Sequence, residues 1–116
     1  MATMPSEKEF VEKLESSVIF IVNEGVSYGT GVIYSENGLA LTNEHVISGA
    51  KKIQVTATNA AGIEQTLPAE VLGTDPDIDL AVIRFKGGPY LAAKLGSVKD
   101  IAQGDHVVAL GYPLLF

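Results

Sequence analysis

From residue 17 onward the chain runs in short β-branched and aromatic stretches broken by Gly, Asn and Asp, a texture that predicts strands and tight turns rather than helices. Six such runs fall at 17–22, 28–34, 39–42, 52–58, 65–72 and 80–85. The fourth alternates most cleanly, Ile53, Val55 and Ala57 against Gln54, Thr56 and Thr58, so it buries one face only. Asn23-Glu24-Gly25 joins the first two runs as a hairpin. Asn37-Gly38 predicts a type I′ turn, whose two central positions both need positive φ, and this folds the second run back on the third. A single helical turn over 44–48, closed by Gly49, follows the third run, and Gly73-Thr74-Asp75-Pro76-Asp77 reads as the turn between the fifth and sixth. Six short strands with tight turns predict an all-β closed barrel.

The flanks differ. Ser6 with Glu9 three residues later forms a capping box, and Phe10, Val11 and Leu14 sit at helical spacing, so a short N-terminal helix is expected over 1–15. The barrel is assigned to 16–90. Residues 91–116 read as an ordered connector ending in the apolar run 107–110, an orphan strand with no following partner.

Composition narrows the chemistry. At 116 residues, 47% hydrophobic and 19% charged, the chain is the size of one compact domain and lacks the bias of a disordered one. Fourteen acidic against 8 basic residues give a net charge of -6, which opposes nucleic acid. No apolar run approaches the roughly 20 residues of a membrane span, and no signal peptide is visible at the N-terminus. With no Cys, thiolate nucleophiles, thiolate metal sites and disulfides are excluded, and chemistry falls to oxygen and imidazole.

Two residues stand out. His45 follows the apolar third strand within Leu41-Thr42-Asn43-Glu44-His45-Val46-Ile47, where an imidazole can face a cleft. Asp79 opens the sixth strand, far enough along the chain that only tertiary folding could pair the two. Asp75 and Asp77 lie in the preceding turn, where carboxylates commonly cap backbone amides, and His106 beside Asp105 reads as an exposed turn residue. Gly25-Val26-Ser27-Tyr28-Gly29 has the spacing of a nucleophile elbow, but a strand on each side makes it a hairpin. Residues 75–86 imitate a calcium loop with Leu80 where glycine is needed and Lys86 where glutamate is needed, and two distant histidines define no zinc site. No cofactor or metal is expected.

Four blocks in order resemble the HtrA (Deg) family of trypsin-like serine proteases. Gly29-Thr30-Gly31-Val32-Ile33 is similar to its Gly-Ser-Gly strand, and residues 41–46 to its Leu-Thr-Asn-x-His-Val block. Gly73-Thr74-Asp75-Pro76 with Asp79-Leu80-Ala81-Val82, and then the stretch from Gly104 to Pro113, resemble two more. The resemblance implies a six-stranded antiparallel Greek-key barrel of the chymotrypsin fold, with His45 as general base and Asp79 as the carboxylate that holds its imidazole. A neutral imidazole can take a serine's proton near neutral pH, and a carboxylate fixes its tautomer.

The family's Gly-Asn-Ser-Gly-Gly-Pro nucleophile block has no counterpart here. The resemblance therefore implies the N-terminal half of a serine endopeptidase, inactive alone, since losing the serine costs about six orders of magnitude in turnover. It also implies unfolded protein or peptide substrates for the parent enzyme, a C-terminal protease barrel as partner opened by the strand at 107–110, and an exported or periplasmic parent. An uncovered terminal strand predicts a homodimer through that edge. The alternative is a natural single-barrel pseudoprotease acting as a binding or assembly module.

Overall fold

The computed structural model describes residues 14–96 and 102–104. Six strands form in chain order: β1 (Val18–Asn23), β2 (Ser27–Ser35), β3 (Leu39–Thr42), β4 (Ile53–Thr58), β5 (Glu64–Asp75) and β6 (Leu80–Phe85), with one helical turn, α1 (Glu44–Ile47), between β3 and β4. All pairings are antiparallel, and the ring order β1-β2-β3-β6-β5-β4 closes where β4 meets β1. Closure leaves the sheet without a free edge. Alternation does the rest: Ile19, Ile21, Ile33, Ala40, Ile53, Val55, Ala57, Ala81, Ile83 and Phe85 point inward as one core.

Strand registers define two ends of the barrel. Thr42 lies opposite Ala81, and Leu39 opposite Arg84. The exit of β3 and the entrance of β6 therefore share one end, together with α1 and the β1–β2 hairpin. The β2–β3 turn, the β4–β5 connection and the chain after β6 share the other. At that second end residues 86–93 run across as a strap. Tyr90 is buried and packs edge-on against Phe85 with ring centroids 5.1 Å apart. The strap is tied by Tyr90 N to Glu36 O at 3.0 Å, Ala93 N to Ile33 O at 2.8 Å and Ser17 Oγ to Leu91 O at 2.8 Å.

Two local expectations are corrected. The β2–β3 turn is not type I′: Gly38 has φ +89°, but Asn37 does not share a positive φ. Gly38 N donates to Ser35 O at 3.0 Å, so a three-residue loop closes on a left-handed glycine, with a register shift between Ile33 and Ser35. Close approach also demands glycine here, because a Cβ at Gly38 would lie 2.1 Å from Phe85 O. The second correction is in β5, which runs to Asp75 rather than stopping near Leu72. Val71 pairs with Ile83 and Gly73 with the adjacent Val82, leaving Leu72 as the extra residue of a bulge. Gly73, Thr74 and Asp75, which read locally as a turn, are strand residues beyond that bulge, and the chain reverses over 76–79.

Apart from Leu14 and Glu15, the predicted N-terminal helix lies outside the described residues, as does the orphan strand at 107–110.

Candidate functional site

α1 is four residues long, too short to persist by its own hydrogen bonds, so the barrel must hold it. Its Val46 and Ile47 are buried in the core. Val46 sits directly on Gly29 of β2, where a Cβ would come within 2.5 Å of Val46 Cγ2. Polar side chains secure the exit of the turn. Asn23 Nδ2 donates to Val46 O at 3.1 Å and to Ser48 O at 3.2 Å, and Ser27 Oγ donates to Val46 O at 2.6 Å. With one face fixed by Val46 and the carbonyls held from below, His45 is directed outward.

Asp79, the last residue of the turn before β6, lies across from α1. Its Oδ2 lies 2.7 Å from His45 Nδ1, and its Oδ1 accepts the His45 backbone N–H at 2.9 Å. An ionised carboxylate can only accept, so Nδ1 carries a proton, and in the neutral imidazole Nε2 keeps its lone pair. Nε2 has no hydrogen-bond partner among the described residues, and the His45 side chain is 69% exposed against 43% for Asp79. The carboxyl of Asp79 is held below its ordinary range chiefly by the His45 backbone N–H and next by the His45 ring, against an opposing push from desolvation. Asp79 is also the one non-glycine with positive φ among the described residues, at +54°.

The structure thus brings together the two residues singled out from sequence, across 34 positions. It separates the others. Asp75 Oδ1 accepts Asp77 N at 3.1 Å in a local turn, and neither carboxylate meets His45. Ser27 of the elbow-like stretch pairs with Asn23 in the β1–β2 hairpin and gives its hydroxyl to Val46 O. His106 lies outside the described residues. Among the described residues no group of three or more His, Cys, Asp or Glu side chains could hold a metal, and no helix is long and apolar enough to cross a membrane. A shallow groove lined by Leu67, Pro68, Ala69, Phe85 and the Arg84–Glu70 ion pair excludes both His45 and Asp79.

Sequence reasoning missed the supports. Asn23 carried a signal: it continues the inward alternation of Ile19 and Ile21, and a polar residue at a core position needs buried partners. Asn43 carried none that distinguishes it from an ordinary helix cap.

The structure thus pairs a closed six-stranded antiparallel barrel with an imidazole hydrogen-bonded to a carboxylate at one end. The chain belongs to the trypsin-like peptidase domain family, which it matches over residues 29–115, and within it to the HtrA type. It is 39% identical over 93 residues to a probable periplasmic serine endoprotease, DegP-like, of Pseudomonas fluorescens, covering 80% of this chain and 19% of that protein. The chain thus spans about a fifth of the length of the curated relatives it matches. Among solved structures, the HtrA-type protease AlgW with tripeptide superposes with a TM-score of 0.74 at 34% identity, covering 87% of this chain and 33% of that one. Deg5 superposes with a TM-score of 0.75 at 27% identity, covering 86% of this chain and 55% of its own.

Proposed function

We propose that this chain supplies the general base, His45, and the orienting carboxylate, Asp79, of a Ser-His-Asp endopeptidase whose nucleophile is carried by a second barrel. The observation that supports this reading is the 2.7 Å contact from His45 Nδ1 to Asp79 Oδ2, with Nε2 left free at an exposed surface. In such a site Nε2 takes the proton from the serine hydroxyl as it attacks the peptide carbonyl, then delivers it to the leaving amine; Asp79 stabilises the imidazolium between these steps. None of the serines among the described residues hydrogen-bonds to His45. Substrates would be unfolded proteins or peptides in this reading; that the DegP-like relatives are named serine endoproteases supports protein substrates.

Residues 16–90 form the barrel unit in this reading, 1–15 an N-terminal helix, and 91–116 a connector leading into the first strand of the second barrel. Val26, Leu72 and Ile78 belong to the connections and strand end at the dyad's end of the barrel and are 64%, 44% and 66% exposed. In this reading they are apolar side chains for that barrel to cover. Without it, the chain would self-associate as a homodimer through the terminal strand, and monomer mass alone by light scattering at tens of micromolar counts against this.

The central test pairs the chain with the second barrel of an HtrA protease, as a fusion. The chain alone labels no serine with a fluorophosphonate and cleaves no unfolded casein. The fusion labels the added serine, and His45→Ala abolishes the labelling. Labelling of any serine in the isolated chain overturns the proposal, and a folded fusion that stays unlabelled favours a binding or assembly module instead.

A further inference from the structure

Asn43 occupies the N-cap position of α1, with φ −81° and ψ 141°, yet its side chain makes no capping hydrogen bond to the helix. Asparagine there would ordinarily accept a backbone N–H from the first turn. That task has passed to another part of the chain: the His45 N–H is accepted by Asp79 Oδ1 at 2.9 Å. Asn43 instead reaches across and donates from Nδ2 to the backbone carbonyl of Asp79 at 3.2 Å. Asp79 N in turn faces Pro76 O at 3.4 Å. Residue 79 is thereby gripped at its backbone by Asn43 and at its carboxylate by His45, while holding a left-handed φ of +54° that a residue with a Cβ adopts reluctantly.

We infer that Asn43 is a positioning residue, a clamp that holds Asp79 in the left-handed conformation from which its carboxylate meets His45. The inference rests on the dyad reading above and adds to it what keeps the pair in register. Without the Nδ2 contact, the backbone of Asp79 is free to relax toward negative φ. Its carboxylate then swings off the His45 N–H and ring together.

Asn43 is exposed, so its variants should fold. The discriminating pair is Asn43→Ala and Asn43→Ser in the 116-residue chain. Serine caps a helix about as well as asparagine but cannot span the distance to the Asp79 carbonyl. The readouts are the Asp79 carboxyl titration by carbon NMR, the His45 Nδ1–H proton signal and the thermal unfolding midpoint. The clamp requires both variants to raise the Asp79 titration midpoint by roughly half a pH unit or more and to weaken the Nδ1–H signal. A serine variant that behaves as wild type makes Asn43 an ordinary cap and overturns the inference, as does an alanine variant that changes neither signal. Asp79→Asn is measured in parallel. If it leaves the His45 ring signals untouched, the dyad itself fails; if it moves them while the Asn43 variants do not, only the clamp fails.

Discussion

The two ends of the barrel are built on different physics. At the strap end, Tyr90 and Phe85 are buried against each other, Gly38 admits no side chain, and the chain is sealed by apolar contact and main-chain hydrogen bonds. At the dyad end, His45 is largely open to solvent and Asp79 partly so, and directed hydrogen bonds hold their supports: Asn23 and Ser27 donate to carbonyls at the exit of α1, and Asn43 donates to the Asp79 carbonyl. Apolar burial is strong but has no direction; hydrogen bonds contribute less each but fix atoms to tenths of an ångström. A site that must place Nδ1 against a carboxylate needs the second kind, while the fold can rely on the first.

If this division holds, truncation at the strap end has the largest effect on stability. Tyr90→Ala is expected to lose about 3–5 kcal/mol by urea unfolding, because it removes a buried aromatic ring and leaves Phe85 facing a void. A loss under about 1 kcal/mol would mean that the strap is an attachment rather than a seal. Gly38→Ala follows, with a cost of about 1–3 kcal/mol from the positive φ alone. Contact with the Phe85 carbonyl adds to this, since the chain must shift to admit the Cβ.

Asn23 lies between the two regimes. It is buried like the core but serves the dyad end, donating to two carbonyls at the exit of α1. Asn23→Ala should cost about 1–3 kcal/mol, as expected when buried acceptors lose their donor. It should also loosen the His45 turn. Backbone amide exchange at residues 45–48 is the check: acceleration there beyond that of the β4 core ties Asn23 to the site, and uniform acceleration makes it a core residue only.

How much was legible in the sequence follows the same line. The core strands were, because Ile53, Val55 and Ala57 in alternation can bury in only one way, and β3 and β6 lie where their apolar runs begin and end. The dyad residues were legible through the blocks around them, since a histidine after one strand and an aspartate before another mean little until the sheet brings them together. Gly73 and Asp75 misled because turn propensity is local, whereas the bulge at Leu72 that keeps them in the ladder is set by pairing with β6. Asn37 misled in a similar way: Asn-Gly permits two positive φ values, and the close approach of Phe85 to Gly38 demands only one. The exchange of roles between Asn43 and Asp79 was out of reach, because an asparagine before a helical turn predicts a local cap and nothing in the chain order names a partner 36 residues on.

The smallest effect expected is the response of the dyad end to acid. Asp79 titrates below its ordinary value because the folded state offers its carboxylate the His45 N–H and ring. The unfolded chain lacks these donors, so its carboxyl follows the usual value of about 3.9. Folding therefore favours the ionised form. That contribution is complete above the unfolded value and fades as the pH falls through the lower, folded one. Protonated Asp79 loses its hold on His45, whereas Asp79→Asn has no charge to lose. The unfolding midpoint of the wild type should thus exceed that of Asp79→Asn near neutrality and converge on it as the pH drops below about 4. Exposure and salt keep the difference small. A gap that stays constant from neutrality down to strong acid would show that the carboxylate's charge does nothing for the folded state, and that the dyad end is held by neutral hydrogen bonds alone.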